Sequence, residues 1–113
     1  MATTQQVVLT VTASSSTPLA GAATGVGESA PFTPQLGRDM YLTLTGTWTG
    51  TIRIQRSTDG GATWNNITIG GGNPWGVYTG NCDEVVDTPT DGASLYRVSF
   101  NVSSGNAAYR LAQ

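Results

Sequence analysis

Met40-Tyr41-Leu42-Thr43-Leu44-Thr45-Gly46-Thr47-Trp48-Thr49-Gly50-Thr51-Ile52-Arg53-Ile54-Gln55-Arg56 is the stretch whose pattern decides the fold class. Met40, Leu42, Leu44 and Trp48 fall on one face of an extended chain, and Tyr41, Thr43, Thr45 and Thr47 on the other. Ile52 and Ile54 then alternate with Thr51, Arg53 and Gln55. A period of two, built from β-branched and aromatic residues, predicts half-buried strands. The Thr49-Gly50 pair predicts a turn between the two runs, and so a hairpin. A second hairpin is expected to follow, with residues 52–56 pairing 64–69 across 57–63.

The same reading extends outward. Val7, Leu9 and Val11 alternate with Val8, Thr10 and Thr12, a strand with one apolar face. Gly70-Gly71-Gly72-Asn73-Pro74 breaks the chain. Short strands are expected at 75–78 and 82–86, a turn at 87–92, and a longer strand at 95–102. Ser103 to Asn106 predicts a further turn, and 107–111 a last strand. No stretch has helical periodicity. Seven or eight short strands at this spacing predict an all-β fold, an antiparallel β-sandwich of immunoglobulin-like or jelly-roll-like type, with 1–113 as one domain.

Residues 13–35 differ in character, with Ser, Thr, Ala, Gly and three prolines, Pro18, Pro31 and Pro34. They predict a long loop or arm that is mobile alone, because few large apolar groups repay its ordering. Leu19, Pro31, Phe32 and Pro34 are its candidate contacts with a partner.

Composition narrows the function. The chain has 113 residues, of which 38% are hydrophobic and 11% charged, with a net charge of -2. Five arginines and no lysine give no electrostatic footprint for a nucleic-acid backbone. No 18-residue apolar run predicts a membrane span. So weakly charged a surface suits a docked subunit. Met1 to Gln6 lack a basic segment followed by an apolar one, so no signal peptide is expected, as in an ordinary intracellularly made protein. With no histidine, Ser-His-Asp and Cys-His catalysis are excluded. Without lysine there is no Schiff base and no phosphate-loop lysine. Cys82 is alone, beside Asp83 and Glu84, whose charges raise a thiol pKa; it is expected to be idle.

Ser57-Thr58-Asp59-Gly60-Gly61-Ala62-Thr63-Trp64 reads S-x-D-x-G-x-T-W and resembles the Asp-box, a hairpin motif repeated in sialidases and other propellers and found singly in other β proteins. Its logic is local. Asp59 is placed to accept N–H bonds across the turn, Gly61 to take a positive φ, and Trp64 to tuck beside it after Ser57. One copy does not make a propeller, and the motif implies structure, not activity.

Residues 38–100, with the run 42–57, the Asp-box, an acidic turn and Leu95-Tyr96-Arg97, look like small structural proteins of tailed bacteriophages. That resemblance implies a non-enzymatic virion component needing no cofactor. The expected role is a capsid decoration or cement protein, homo-oligomeric and plausibly trimeric, held to the major capsid protein. The alternative is a tail or head-fibre module gripping a host glycan through Trp75 and Tyr78. Asp83, Glu84, Asp87 and Asp91 match no calcium loop and are expected to form a solvated turn without metal. Trp48 is expected in the core by its register with Leu42 and Leu44.

Overall fold

The computed structural model describes residues 17–113, and the expected strand at Val7 to Thr12 lies outside them. Among the described residues are eight strands, every pairing antiparallel. They are β1 (Leu19–Glu28), β2 (Met40–Ser57), β3 (Asn65–Asn66), β4 (Thr68–Ile69), β5 (Asn73–Pro74), β6 (Val77–Tyr78), β7 (Cys82–Asp87) and β8 (Leu95–Ala112). A six-stranded sheet runs β1-β8-β2, with β7, β6 and β3 side by side along the far edge of β2. β4 and β5 form a separate two-stranded ribbon.

The spine is the pairing of β2 with β8, each 18 residues long. Here the expected turns are corrected. Thr49-Gly50 is no turn, because β2 runs straight through it. Ser103 to Asn106 is no turn either, since β8 continues from Leu95 to Ala112. The physical reason is a β-bulge. Thr49 pairs with Ser104 and Gly50 with Val102, so Ser103 is left opposite no residue of β2. One extra residue switches the face parity of a strand. Inward residues of β8 are therefore Tyr96, Val98 and Val102 before the bulge, and Ala107 and Leu111 after it. β2 keeps one parity throughout, with Met40, Leu42, Leu44, Ile52 and Ile54 buried.

The register of β1 against β8 shifts at the same level, between Ala23 and Gly25. Irregularities in three neighbouring strands thus line up across the sheet. Glycine is required there: a methyl group on Gly50 (φ 141°) would run into the Asn101 carbonyl oxygen, and one on Gly105 (φ 81°) into that of Thr47. Aligned bulges bend and coil a sheet toward its buried face.

The core formed on that face contains Phe32, Met40, Leu42, Leu44, Ile52, Ile54, Ile67, Val86, Tyr96, Val98, Val102 and Leu111. Each large aliphatic side chain so buried contributes about 1.5–3 kcal/mol relative to exposure. Ile67 explains why β3 is short: its side chain turns into this core, and the chain leaves the sheet for the β4-β5 ribbon.

The expected arm at 13–35 is corrected for its described part. Residues 19–28 are a sheet strand, and Phe32, only 2% exposed, belongs to the core. Gly21 and Gly27 of β1 are covered by rings of the neighbouring strand, Tyr109 over the first and Phe100 over the second. The apolar area that β1 lacks is thus supplied by β8. Beyond β1, Phe32 exchanges backbone hydrogen bonds with Tyr96, its N–H donating at 2.6 Å and its carbonyl accepting at 3.0 Å. Gln113 then accepts from the Gln35 N–H at 2.7 Å and donates to the carbonyls of Gln35 and Arg38.

Candidate functional site

Four places carry organised polar or apolar groups: the turn after β2, a recess beside β6, a cavity where β2, β7 and β8 meet, and the outer edge of β1.

The turn is closed by its own side chains. Ser57 Oγ donates to Asp59 Oδ1 at 2.7 Å and accepts from the Gly61 N–H at 2.9 Å. Asp59 accepts from the Thr63 N–H at 2.9 Å and the Thr63 hydroxyl at 2.5 Å. These bonds, with Thr63 contributing most and Ser57 next, hold the Asp59 carboxyl at about 2, below its ordinary 3.8. Trp64 Nε1 donates to the Gly61 carbonyl at 3.1 Å. The Arg97 guanidinium stands 4.6 Å from the Trp64 ring centre, a cation–π contact, while its Nε donates to Gln55 at 2.8 Å. The side chains of Ser57, Asp59, Thr63 and Trp64 bond within the turn itself, which makes it a brace for the sheet end.

The recess beside β6 brings Trp75 and Tyr78 together with Glu84 around about 130 Å³. Trp75 is 42% exposed, yet its indole N–H donates to the Val86 carbonyl at 2.6 Å, fixing the ring's orientation. Tyr78 pairs with Ile52 across the sheet, and burial, then the Glu84 charge, push its hydroxyl pKa upward. Cys82 is half-buried nearby and its thiol is pushed up, first by burial and then by Glu84. A raised thiol is a poor nucleophile.

Leu19, Pro31, Phe32 and Pro34 do not share one surface. Leu19 pairs with Leu111 near one end of β8, and Phe32 bridges Tyr96 near the other. Phe32 is buried within its own chain, so it cannot serve as a partner contact; Pro31 is exposed and Pro34 half-buried. Trp48 is half-buried against the core, and its indole N–H donates to Asn81 at 2.8 Å.

The third place was not marked by the sequence pattern. Arg56 and Tyr96 face each other across β2 and β8, and both reach Asp87 at the end of β7. The Tyr96 hydroxyl donates to Asp87 Oδ2 at 2.7 Å, and Arg56 lies 3.5 Å from the same oxygen. Burial and the Asp87 bond push the Tyr96 pKa upward. Asp87 is therefore no member of a solvated turn: it ties β2, β7 and β8 together. One signal pointed here. Arg56 shares the parity of Ile52 and Ile54, which sets its half-exposed guanidinium at the rim of that face, where a carboxylate of a neighbouring strand can pair with it. Above this group lies a cavity of about 280 Å³, lined also by Thr58, Asp91 and Ser94.

On the β1 edge, no described strand pairs opposite β8. It exposes Ala20, Ala22, Thr24 and Val26, the last 79% exposed, and its one charge is Glu28 at its end.

Comparison with protein-family models, with curated proteins and with solved structures gave no match. What the described residues define is an antiparallel all-β fold with a self-braced turn after β2 and, among those residues, a long edge strand in β1.

Proposed function

We propose that this chain is a structural subunit of a virion, a capsid decoration protein that stabilises the head by contact with the major capsid protein and acts without catalysis. The observation that carries the reading is β1. Among the described residues β1 is a ten-residue edge strand with small side chains and a single terminal charge, a template for backbone pairing. Free monomers blunt such edges with lysine, proline or inward charges, and β1 has none of these within its span. Repeated weak contacts of this kind across a shell add through multivalency. A closed homo-oligomer, such as a trimer on a three-fold axis, fits the same role. The sandwich belongs to this proposal too: the halves of the sheet on either side of the bulge line act as its two layers. The Tyr96–Asp87 and Arg56–Asp87 contacts support that reading. Particles lacking the protein should assemble but burst sooner on heating or at low salt. Particles that carry only a few copies at one vertex would overturn the decoration role.

A second reading is a fibre or tail module that grips a host glycan. It is favoured by one observation, the recess that joins Trp75, Tyr78 and Glu84. An aromatic face beside a carboxylate suits a sugar ring. Trp75→Ala that abolishes particle adsorption while leaving head stability intact would favour it over the first.

A further inference from the structure

We propose that the cavity between β2, β7 and β8 binds a neutral, hydroxyl-rich ligand the size of one sugar ring. This goes beyond the capsid reading and does not depend on it. The volume, about 280 Å³, lies just below the usual range of ligand cavities and suits a ligand no larger than one ring. Its wall offers donors and acceptors in close alternation. Arg56 is a pure donor, Asp91 a carboxylate, and Thr58 and Ser94 are hydroxyls that do both.

Ser94 carries the inference. It lines the cavity, is only 5% exposed, and its hydroxyl has no hydrogen-bond partner among the described residues. Its backbone N–H donates to the Asp91 carbonyl at 3.0 Å, which holds the main chain of Ser94 at the cavity wall. That hydroxyl opens on the cavity rather than being sealed in the core, so a ligand hydroxyl can reach it and both donate and accept there. Asp91 uses Oδ1 to accept the Ala93 N–H, which leaves Oδ2 for the ligand.

The other ligand classes fit less well. An anion would meet two carboxylates, Asp87 and Asp91, against one guanidinium already beside Asp87. Among the described residues no three acids, cysteines or histidines are placed to hold a metal ion. The Tyr96 ring is buried, 1% exposed, so it offers no face for stacking a base or an aromatic ligand. Vicinal hydroxyls, which donate and accept at one carbon each, match the wall. Recognition by hydrogen bonds alone gives weak binding, in the millimolar range.

The test is an amide NMR titration of the full chain with D-glucose, D-galactose or N-acetylglucosamine to about 50 mM, with acetate as the charged control. The expected result is saturable shifts at Thr58, Asp91 and Ser94 with at least one sugar and none with acetate. Ser94→Ala should weaken that binding about fivefold, the loss of one hydrogen bond, and leave the melting temperature unchanged or higher. The proposal is overturned by no saturable shift with any of the three sugars, shifts confined to Trp75–Tyr78, equal shifts with acetate, or undiminished binding by Ser94→Ala. A lower melting temperature in Ser94→Ala would also overturn it, by making the hydroxyl a structural group.

Discussion

The turn at 57–64 and the bulge line at 46–50 and 103–106 look alike in sequence, both mixing Thr, Ser, Gly and Trp, yet they do opposite things. At 57–64 the chain reverses, because Ser57 and Asp59 supply side-chain acceptors that hold the reversed backbone. At Thr49-Gly50 no such acceptor exists, and the even-numbered inward series continues from Trp48 to Ile52. The strand therefore goes on, and its glycine is spent on close approach to the neighbouring backbone. A glycine reverses a chain only where side chains close the turn; elsewhere it lets strands crowd and coil.

Substitution can break the comparison at either place. The largest effect is expected from Gly105→Ala, where the new methyl meets the Thr47 carbonyl and the Trp48 backbone. We expect a loss of about 3 kcal/mol, read as a lower denaturant midpoint, since nothing there can give way without parting β2 from β8. Next comes Asp59→Ala, which removes both Thr63 bonds and should lower the melting temperature by several degrees while leaving the β2-β8 amides protected from exchange. If it also deprotected the centre of β8, the turn would not be an independent brace. Gly60→Ala sharpens the contrast. Gly60 has φ 73° with open space around it, so only the backbone penalty remains, about 1 kcal/mol. Equal losses at Gly60 and Gly105 would remove the distinction between a strained backbone and a crowded one.

The smallest effect is in acid. The Asp59 carboxyl sits at about 2 in the folded chain against 3.8 ordinarily. A lowered folded pKa adds stability that is present above the unfolded value and fades as pH falls from 3.8 toward 2. The melting difference between wild type and Asp59→Ala should therefore be full at neutral pH and shrink over that window. A difference that stays constant into strong acid would mean that the charge on Asp59 contributes nothing.

Much of this was open to reading from sequence, for reasons that differ by region. The inward series of β2 shows itself because its side chains are large and the period is unbroken. The turn shows itself because all its bonds fall within eight residues. β1 stayed hidden because its positions on the core side, Gly21, Ala23 and Gly27, are small. Their period of two is visible only once the covering rings, Tyr109 and Phe100, are known, and these lie far along the chain. The bulge at Ser103 was hidden because a change of parity and a turn look the same in one strand. The Asp87 cluster needed the pairing of Arg56 with Tyr96, a fact of register.

The same contrast reaches function through the sheet's two sides. The far edge of β2 is paired at residues 40–44 by β7, at 52–53 by β6 and at 55–56 by β3, whereas the outer edge of β1 meets no described strand. If the chain is an assembly subunit, that edge is where a partner adds. Hydrogen exchange along Leu19–Glu28 tests this most directly, in the isolated protein and on purified particles. Amides of β1 that bond to β8 should be slow in both states, and the alternate, outward ones fast in isolation and slow on the particle. Outward amides that exchange equally fast in both would leave the β1 edge free in the assembly and contradict its role as the docking surface.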